Sequence, residues 1–334
     1  MGVEGDGINA EIAGERTRIV WSRDWLGWSK DWEQAGNHGL AIRAAGDRRC
    51  TRMNAAPAAL ACAGARTFRF VQAVVSPRAR GLSVRLNLNP DGKCNFDCAY
   101  CDVNRARLRT APEVPEVDTM MAELEEALDL IRAGHGAELA GCGGAPPEYL
   151  KVGHVALSGN GEPTLCPVFE EIVEGVMHLR AQGRHGFFKV ALITNSSGLQ
   201  ERAVIRGLRL LTSQDEIWAK LDAGTEAWYR QVNRSEIPYA DIVQTLLRTA
   251  QSRPVTIQSL FPRLQGRAMP MVEQDAFATR IADLRREGAR IQFVQVYSAS
   301  RLAAGGRCGH ATLSELSTIA RRVRETAGVP AVVF

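Results

Sequence analysis

The chain has 334 residues, of which 45% are hydrophobic and 23% charged, and 41 basic against 37 acidic side chains give it a formal net charge of +4 at pH 7. This composition is that of a globular protein and excludes an intrinsically disordered one, and the mild positive charge permits an anionic partner such as RNA without requiring one. No apolar run approaches the roughly 20 residues of a membrane span, and the N-terminus lacks the apolar core of a secretion signal, so we expect a cytoplasmic protein with no membrane partner.

The first 66 residues differ from the rest of the chain. They show no clear hydrophobic period, lead into the small-residue stretch AAPAALACAGA, and hold four of the six tryptophans, Trp21, Trp25, Trp28 and Trp32. We predict that residues 1–66 form an N-terminal extension, either disordered or foreign to a native protein that starts at Met53, and that residues 67–334 form one domain. The alternative is a tryptophan-bearing arm that packs on that domain.

Strand-like and helix-like segments alternate from about residue 82 onward. The first helical segment places Met120, Leu124, Leu128 and Ile131 on one face, and the last opens with Thr312 and Glu315 at capping-box spacing. Repeated strand–helix units predict parallel strands joined by right-handed crossovers, and a full TIM barrel needs eight of them. The six β-rich runs therefore predict an α/β fold, a partial open (β/α)6 TIM-like barrel whose site lies at the carboxyl ends of strands 82–88, 152–158, 187–194, 216–222, 255–261 and 290–297.

Three of the eight cysteines lie together directly after the first strand, where Cys94, Cys98 and Cys101 follow the spacing C-x3-C-x2-C. Thiolates are ligands of soft metals, and a 4Fe-4S cluster ordinarily takes four of them. Three thiolates in one loop would bind three irons and leave the fourth open to a substrate or cofactor. A zinc ribbon would need a second pair of ligands, and Cys142 and His154 fit no such pattern.

Together with Tyr100, these cysteines form the pattern C-x3-C-x-aromatic-C, which resembles the signature of radical S-adenosylmethionine (SAM) enzymes. In that family the three cysteines bind a 4Fe-4S cluster, and its open iron takes the amino and carboxylate groups of SAM. Reductive cleavage of SAM then gives a 5′-deoxyadenosyl radical that abstracts hydrogen from a substrate. The resemblance implies both cofactors and an external electron donor of the flavodoxin or ferredoxin type; structural or zinc-binding thiols are the alternative.

Two further strand ends carry motifs that the resemblance assigns to SAM binding. The second strand ends in Gly159-Asn160-Gly161-Glu162-Pro163, where glycines let the backbone approach a ligand and the resemblance implies that the loop holds the SAM amino group. The third strand ends in Thr194-Asn195-Ser196, whose side chains either cap the next helix or, as the resemblance implies, hydrogen-bond the ribose or carboxylate of SAM. Taken alone, the first motif could equally be a simple turn.

The later strands carry inward-capable polar side chains. Lys220 and Asp222 share one face of the fourth strand, either as a structural ion pair or, as we favour, in contact with SAM. Lys220 and Arg301 are candidate anchors for an anionic group. Candidate specificity residues, each of which could instead satisfy a core hydrogen bond, are Gln258, Gln295 and Tyr297.

The substrate is not identified by these motifs. The segments SGNGEPTL, LITNSSG, KLDAGTE and VNR most resemble the branch that holds the wyosine-base tRNA synthases and uncharacterised bacterial relatives. Because only Cys50 and Cys62 lie upstream, the second cluster of the wyosine synthases is not implied, and a tRNA base, a nucleotide or a partner protein remains a candidate substrate. Alternatives are an iron–sulfur binding or regulatory protein without radical catalysis, and a radical activase that modifies a partner protein.

Three further cysteines have no clear role in the sequence. We interpret Cys142 and Cys166 as structural or incidental. A second hypothesis is that Cys166 or Cys308 lies near the radical and donates a hydrogen atom.

Overall fold

The computed structural model describes residues 7–12, 15–20, 65–104, 113–299 and 308–334. The chain divides into two compact units, Met1–Ala56 and Pro57–Phe334. In the first unit, strands β1 (Gly7–Ile12) and β2 (Glu15–Val20) pair as an antiparallel hairpin. The hypotheses about a start at Met53 and an anionic anchor at Arg301 fall outside the described residues, and the boundary after residue 66 stays a prediction.

The second unit is built on an eight-stranded sheet with strand order β12-β10-β8-β7-β6-β5-β4-β3. Two short strands, β9 and β11, pair separately with each other. The strands in chain order are β3 (Val71–Ser76), β4 (Gly81–Asn87), β5 (Val152–Ser158), β6 (Val190–Thr194), β7 (Glu216–Lys220), β8 (Val255–Leu260), β9 (Pro262–Leu264), β10 (Ile291–Tyr297), β11 (Cys308–His310) and β12 (Ala331–Val333).

The prediction of a partial α/β barrel is confirmed. All six predicted strands form, as β4 to β8 and β10, and they pair in parallel with one another. The sheet is not closed, since its edge strands β3 and β12 pair with no further strand in the described part of the chain. Both edges are additions to the predicted six strands: β3 runs antiparallel to β4, and β12 is a seventh parallel strand of three residues beside β10.

In the described part of the second unit, seven α-helices connect the strands. Their apolar stripes pack on the sheet, as in α1, where the predicted face of Met120, Leu124, Leu128 and Ile131 is buried. The predicted capping box of Thr312 and Glu315 opens α7. The helices are α1 (Val117–Arg132), α2 (Phe169–Ala181), α3 (Arg202–Leu210), α4 (Glu226–Val232), α5 (Tyr239–Ser252), α6 (Met271–Arg286) and α7 (Leu313–Ala327).

Side chains alternate between the two faces of each strand, and this alternation defines an inner face of the sheet. In β10, Val294 and Val296 are fully buried on the face that α7 covers, whereas Gln295 and Tyr297 point to the other face. We call that other face the inner face. Among the described residues, no helix has both the length and the hydropathy that crossing a membrane requires.

Candidate cofactor site

The cysteine loop follows β4 and is held in place by the segment after α4. The backbone N–H of Ala99 donates to the carbonyl of Val232 at 2.7 Å, and that of Asp97 donates to the carbonyl of Asn233 at 3.2 Å. Within the loop, the N–H of Cys101 donates to the carbonyl of Cys98 at 3.0 Å and closes a turn between two of the three cysteines. All three cysteines are partly buried. The loop is therefore a fixed part of the fold.

The side chains of Asn233 and Arg234 also contact the cysteine loop. The amide nitrogen of Asn233 donates to Asp222 Oδ2 at 2.8 Å and lies 3.6 Å from Cys98 Sγ. Arg234 Nε donates to the carbonyl of Asp97 at 2.6 Å, and its guanidinium pairs with the Asp97 carboxylate at 3.1 Å. The sequence showed these two residues as a motif without a role, and the structure gives them the role of positioning the cysteine loop.

The glycines of the second predicted motif allow two loops to touch. A Cβ on Gly161 would lie 1.9 Å from the carbonyl oxygen of Lys93, one residue before the first cysteine. The next residue, Glu162, donates its backbone N–H to the same oxygen at 3.0 Å. Asn160 donates its N–H to Asn87 Oδ1 at 2.9 Å at the end of β4. The position of Gly161 leaves no room for a side chain, so glycine is required for the close approach of the two loops.

The carboxylate of Glu162 joins the ends of β5 and β6. Its Oε1 accepts hydrogen bonds from Thr164 N at 3.1 Å, Thr164 Oγ1 at 2.7 Å and Thr194 Oγ1 at 2.5 Å. Its Oε2 accepts one bond, from Asn195 N at 2.7 Å. Burial raises the pKa of Glu162, and these four donors oppose that shift. Oε1 therefore accepts three of the four hydrogen bonds and Oε2 only one, so Oε2 is the less crowded acceptor.

The residues at the end of β6 also contact the cysteine loop. Asn195 donates from Nδ2 to Asn95 Oδ1 at 2.8 Å, and Asn95 donates in turn to Ser197 Oγ at 2.8 Å. Ser196 is fully buried with a φ of +75°, a backbone conformation that non-glycine residues rarely adopt. The helix-capping alternative for Thr194 to Ser196 is wrong, because α3 begins only at Arg202 and Glu201 occupies its N-cap.

Lys220 and Asp222 meet Tyr100 from the cysteine loop. Tyr100 donates its hydroxyl to Asp222 Oδ2, and Lys220 Nζ lies 3.9 Å from the same oxygen and 4.6 Å from the Tyr100 ring centre. Burial and the neighbouring Asp222 raise the pKa of Tyr100 well above its usual range, so the phenol stays protonated. The structural ion pair considered for Lys220 and Asp222 is present, and their contact with SAM stays a prediction.

The remaining candidates lie on the inner face or around the loop. Gln258 donates to Gln295 Oε1 at 3.2 Å, so one of the predicted core hydrogen bonds exists. Cys308 Sγ lies 3.5 Å from the carbonyl of Ala99 and is therefore a neighbour of the cysteine loop. Cys142 Sγ lies 3.6 Å from the carbonyl of Ala73.

An iron–sulfur cluster fits the donors of this loop. Within the described residues, no three His, Cys, Asp or Glu side chains converge as a ready-made metal site. Three thiols in one loop are nevertheless the soft donors that iron–sulfur clusters take, and the Asn233 amide supplies the outer hydrogen bond typical of such sulfurs. Two buried oxygens beside the loop, Asn89 Oδ1 and Asn233 Oδ1, have no hydrogen-bond partner.

The protonation state of the loop also bears on metal binding. Burial raises the pKa of the Cys98 thiol to about 11, against the opposing charge of Lys220. Cys98 is therefore a neutral thiol at pH 7 and must release its proton to become a metal ligand.

The structure is similar to that of SuiB from Streptococcus suis, with a TM-score of 0.53 and 13% sequence identity over 77% of this chain and 51% of SuiB. SuiB is a radical SAM enzyme, so this chain shares its fold with a member of the family that its motifs resemble. This chain spans about half the length of SuiB.

Two other solved structures are similar at lower scores. A structure of TYW1 with a bound lysine–pyruvate adduct has a TM-score of 0.48 and 16% identity over 75% of this chain and 74% of TYW1. SuiB bound to S-adenosylmethionine has a TM-score of 0.49 and 11% identity over 77% of this chain and 48% of that one. No family model and no curated protein sequence matches the chain.

Proposed function

We propose that the chain is a radical SAM enzyme that binds one 4Fe-4S cluster through Cys94, Cys98 and Cys101. When bound and reduced, the cluster would supply one electron for the cleavage of SAM to methionine and a 5′-deoxyadenosyl radical, which would take a hydrogen atom from the substrate and leave as 5′-deoxyadenosine. The external electron donor is a flavodoxin- or ferredoxin-like protein. The SuiB-like fold supports the superfamily, and the reaction rests on the site itself.

One observation carries this proposal: the ends of three neighbouring strands all pack on the cysteine loop. The Gly161 backbone meets Lys93, the Asn195 side chain meets Asn95, and Asp222 accepts from Tyr100. A cysteine loop that bound only a structural metal would need no contact with these strand ends. The convergence supports a second ligand, bound beside the metal at the carboxyl ends of the strands, where barrel enzymes place their sites.

The described side chains suit the charged groups of SAM. Glu162 Oε2 is a buried acceptor for the SAM amino group, and Lys220 is a cation for the SAM carboxylate. The pKa of Lys220 is raised by Asp222 against the opposing effect of burial, so the ammonium stays charged. Thr194, Asn195 and Ser196 supply hydroxyl and amide groups for the ribose.

The proposal identifies the substrate only by its chemical class. The branch resemblance and the net charge of +4 favour a tRNA base or a nucleotide over a partner protein, because cations raise the affinity for phosphates.

A comparison of two cysteine variants tests the cluster assignment. After anaerobic reconstitution with iron and sulfide, we expect Cys98→Ala to lose the cluster and Cys308→Ala to keep the wild-type iron content. We also expect SAM to change the electron paramagnetic resonance spectrum of the reduced wild-type cluster, because it binds the open iron. A Cys98→Ala protein with wild-type iron content would refute the assignment.

A further inference from the structure

An arginine outside the predicted motifs lies on the inner face. Arg78 belongs to the turn between β3 and β4, and its guanidinium carbon lies 4.3 Å from the Tyr297 ring centre and 6.0 Å from that of Trp218. Stacking on an aromatic face holds a guanidinium in one orientation. Trp218 lies two residues before Lys220 on the same side of β7, so Arg78 lies over the face that carries Lys220.

Arg78 presents a donor that nothing in the described structure accepts. Its NH1 atom is buried and has no hydrogen-bond partner. The acidic groups of this face are already engaged: Glu216 accepts from Lys189 and from Trp218, both at 2.6 Å, while Asp222 accepts from Tyr100, Asn233 and the backbone of Leu260. A buried donor left unpaired costs free energy, so an acceptor from outside the described residues would stabilise it.

A second unpaired donor lies on the same face. Gln295 is fully buried, its Oε1 accepts from Gln258, and its Nε2 has no partner. It stands two residues before Tyr297 on the same side of β10, and Tyr297 is the residue on which Arg78 stacks. The pairing register also aligns Gln295 with Gln258, and Gln258 with Lys220. Two unpaired donors therefore share one face of the sheet, and the carboxylates described on that face, Glu216 and Asp222, are already engaged with other groups.

We propose that Arg78 and Gln295 bind an oxyanion of the substrate, a carboxylate or a phosphate, on the inner face of the sheet. The planar guanidinium offers paired N–H donors that match either oxyanion, and the Gln295 amide donates a further hydrogen bond. The inference rests on the proposed function, which makes the bound molecule a substrate, and it adds the chemical class of one group on that substrate. It assigns the recognition of that group to residues separate from those proposed to hold SAM.

Titration calorimetry with inorganic phosphate and with acetate, at constant ionic strength, tests the proposal on the full chain. We expect Arg78→Gln to weaken binding of the preferred anion at least about tenfold, the loss typical of a charged hydrogen bond. The matched control is Arg80→Gln, which removes the same charge from an exposed position of the same turn and should bind as the wild type does. Arg78→Lys keeps the positive charge but lacks the paired N–H donors of the guanidinium, so its affinity for the anion should lie between those of Arg78→Gln and Arg80→Gln.

Each possible result either supports the proposal or contradicts it. Tighter binding of phosphate or of acetate identifies which oxyanion the substrate carries. The proposal is overturned if the wild-type protein binds neither anion, if Arg80→Gln weakens binding as much as Arg78→Gln, or if Arg78→Gln weakens SAM binding tenfold, which would assign the guanidinium to the SAM carboxylate. Failure of the proposed function would appear separately, as absence of SAM cleavage by a reconstituted protein that still binds the anion through Arg78.

Discussion

Replacing Gly161 with alanine tests whether contact between the strand-end loop and the cysteine loop assembles the site. The new Cβ would lie 1.9 Å from the Lys93 carbonyl oxygen and 2.6 Å from its carbon, where real contacts stay beyond 3.0 Å. The two loops must therefore separate by about 1 Å, which breaks the hydrogen bond from Glu162 N to Lys93 O. Lys93 directly precedes Cys94, so the separation moves the first cysteine.

The structure supplies a magnitude and a matched control. Overpacking costs about 1 to 3 kcal/mol and the lost hydrogen bond about 1 kcal/mol, so the free energy of unfolding should fall by about 2 to 4 kcal/mol. Gly153→Ala is a comparable clash at the opposite end of β5, where a Cβ would lie 2.2 Å from the Ala79 carbonyl oxygen. Both variants should lose stability, and only Gly161→Ala should also lose metal.

Urea unfolding of the cluster-free proteins measures the first effect, and iron titration under anaerobic conditions measures the second. We expect Gly161→Ala to weaken iron binding about 10- to 100-fold, as the loss of groups that orient metal ligands does. The reasoning is wrong if Gly161→Ala binds iron as the wild type does, or if Gly153→Ala loses iron equally.

Two further predictions concern His154 and Asn233. Burial lowers the pKa of His154 to about 4, below its unfolded value of about 6.5. Between pH 6.5 and pH 4 the unfolded chain therefore binds more protons than the folded one. About 3 kcal/mol of the free energy of unfolding should be lost as the pH falls across this range. Urea unfolding at several pH values measures this loss, and His154→Phe should flatten it; an equally steep profile in that variant would contradict the assignment. Asn233→Ala removes the donor to Asp222 and Cys98, and we expect it to cost about 1 to 3 kcal/mol and to weaken iron binding. The exposed Gln231→Ala on α4 is its control, and equal effects of the two variants would exclude a specific role for Asn233.

Most of the fold could be predicted from the sequence because its main signals are local. Alternating strand and helix periods identified six parallel strands, and the spacing of Thr312 and Glu315 identified the start of α7. The edge strand β12 was missed because three residues carry no readable period. The edge strand β3 is not part of the strand–helix alternation, because it pairs with β4 as an antiparallel hairpin that precedes the first helix, and the alternation therefore does not predict it.

The sequence identifies candidate residues for the site but not the contacts between them. Residues such as Glu162 follow strand ends in recognisable motifs, whereas the partners of its carboxylate, Thr194 and Asn195, come from another strand. Asn233 lies 135 residues from Cys98 in the chain, so no local pattern could show their contact.

Arg78 gave no signal in the sequence at all. It lies in a turn, and a Cβ on Gly153 would meet that turn at 2.2 Å, so its position on the inner face depends on packing between distant segments. Such contacts are properties of the tertiary structure.

The most direct test of the central claim is the formation of 5′-deoxyadenosine by the reconstituted full-length protein. The protein is loaded with iron and sulfide under anaerobic conditions, mixed with SAM and a strong reductant, and analysed by mass spectrometry, with Cys98→Ala as the control. We expect about four irons per chain, as one cubane requires, and 5′-deoxyadenosine that depends on reductant, SAM and Cys98. A wild-type protein that binds no iron, or that forms 5′-deoxyadenosine equally well without Cys98, would contradict the account.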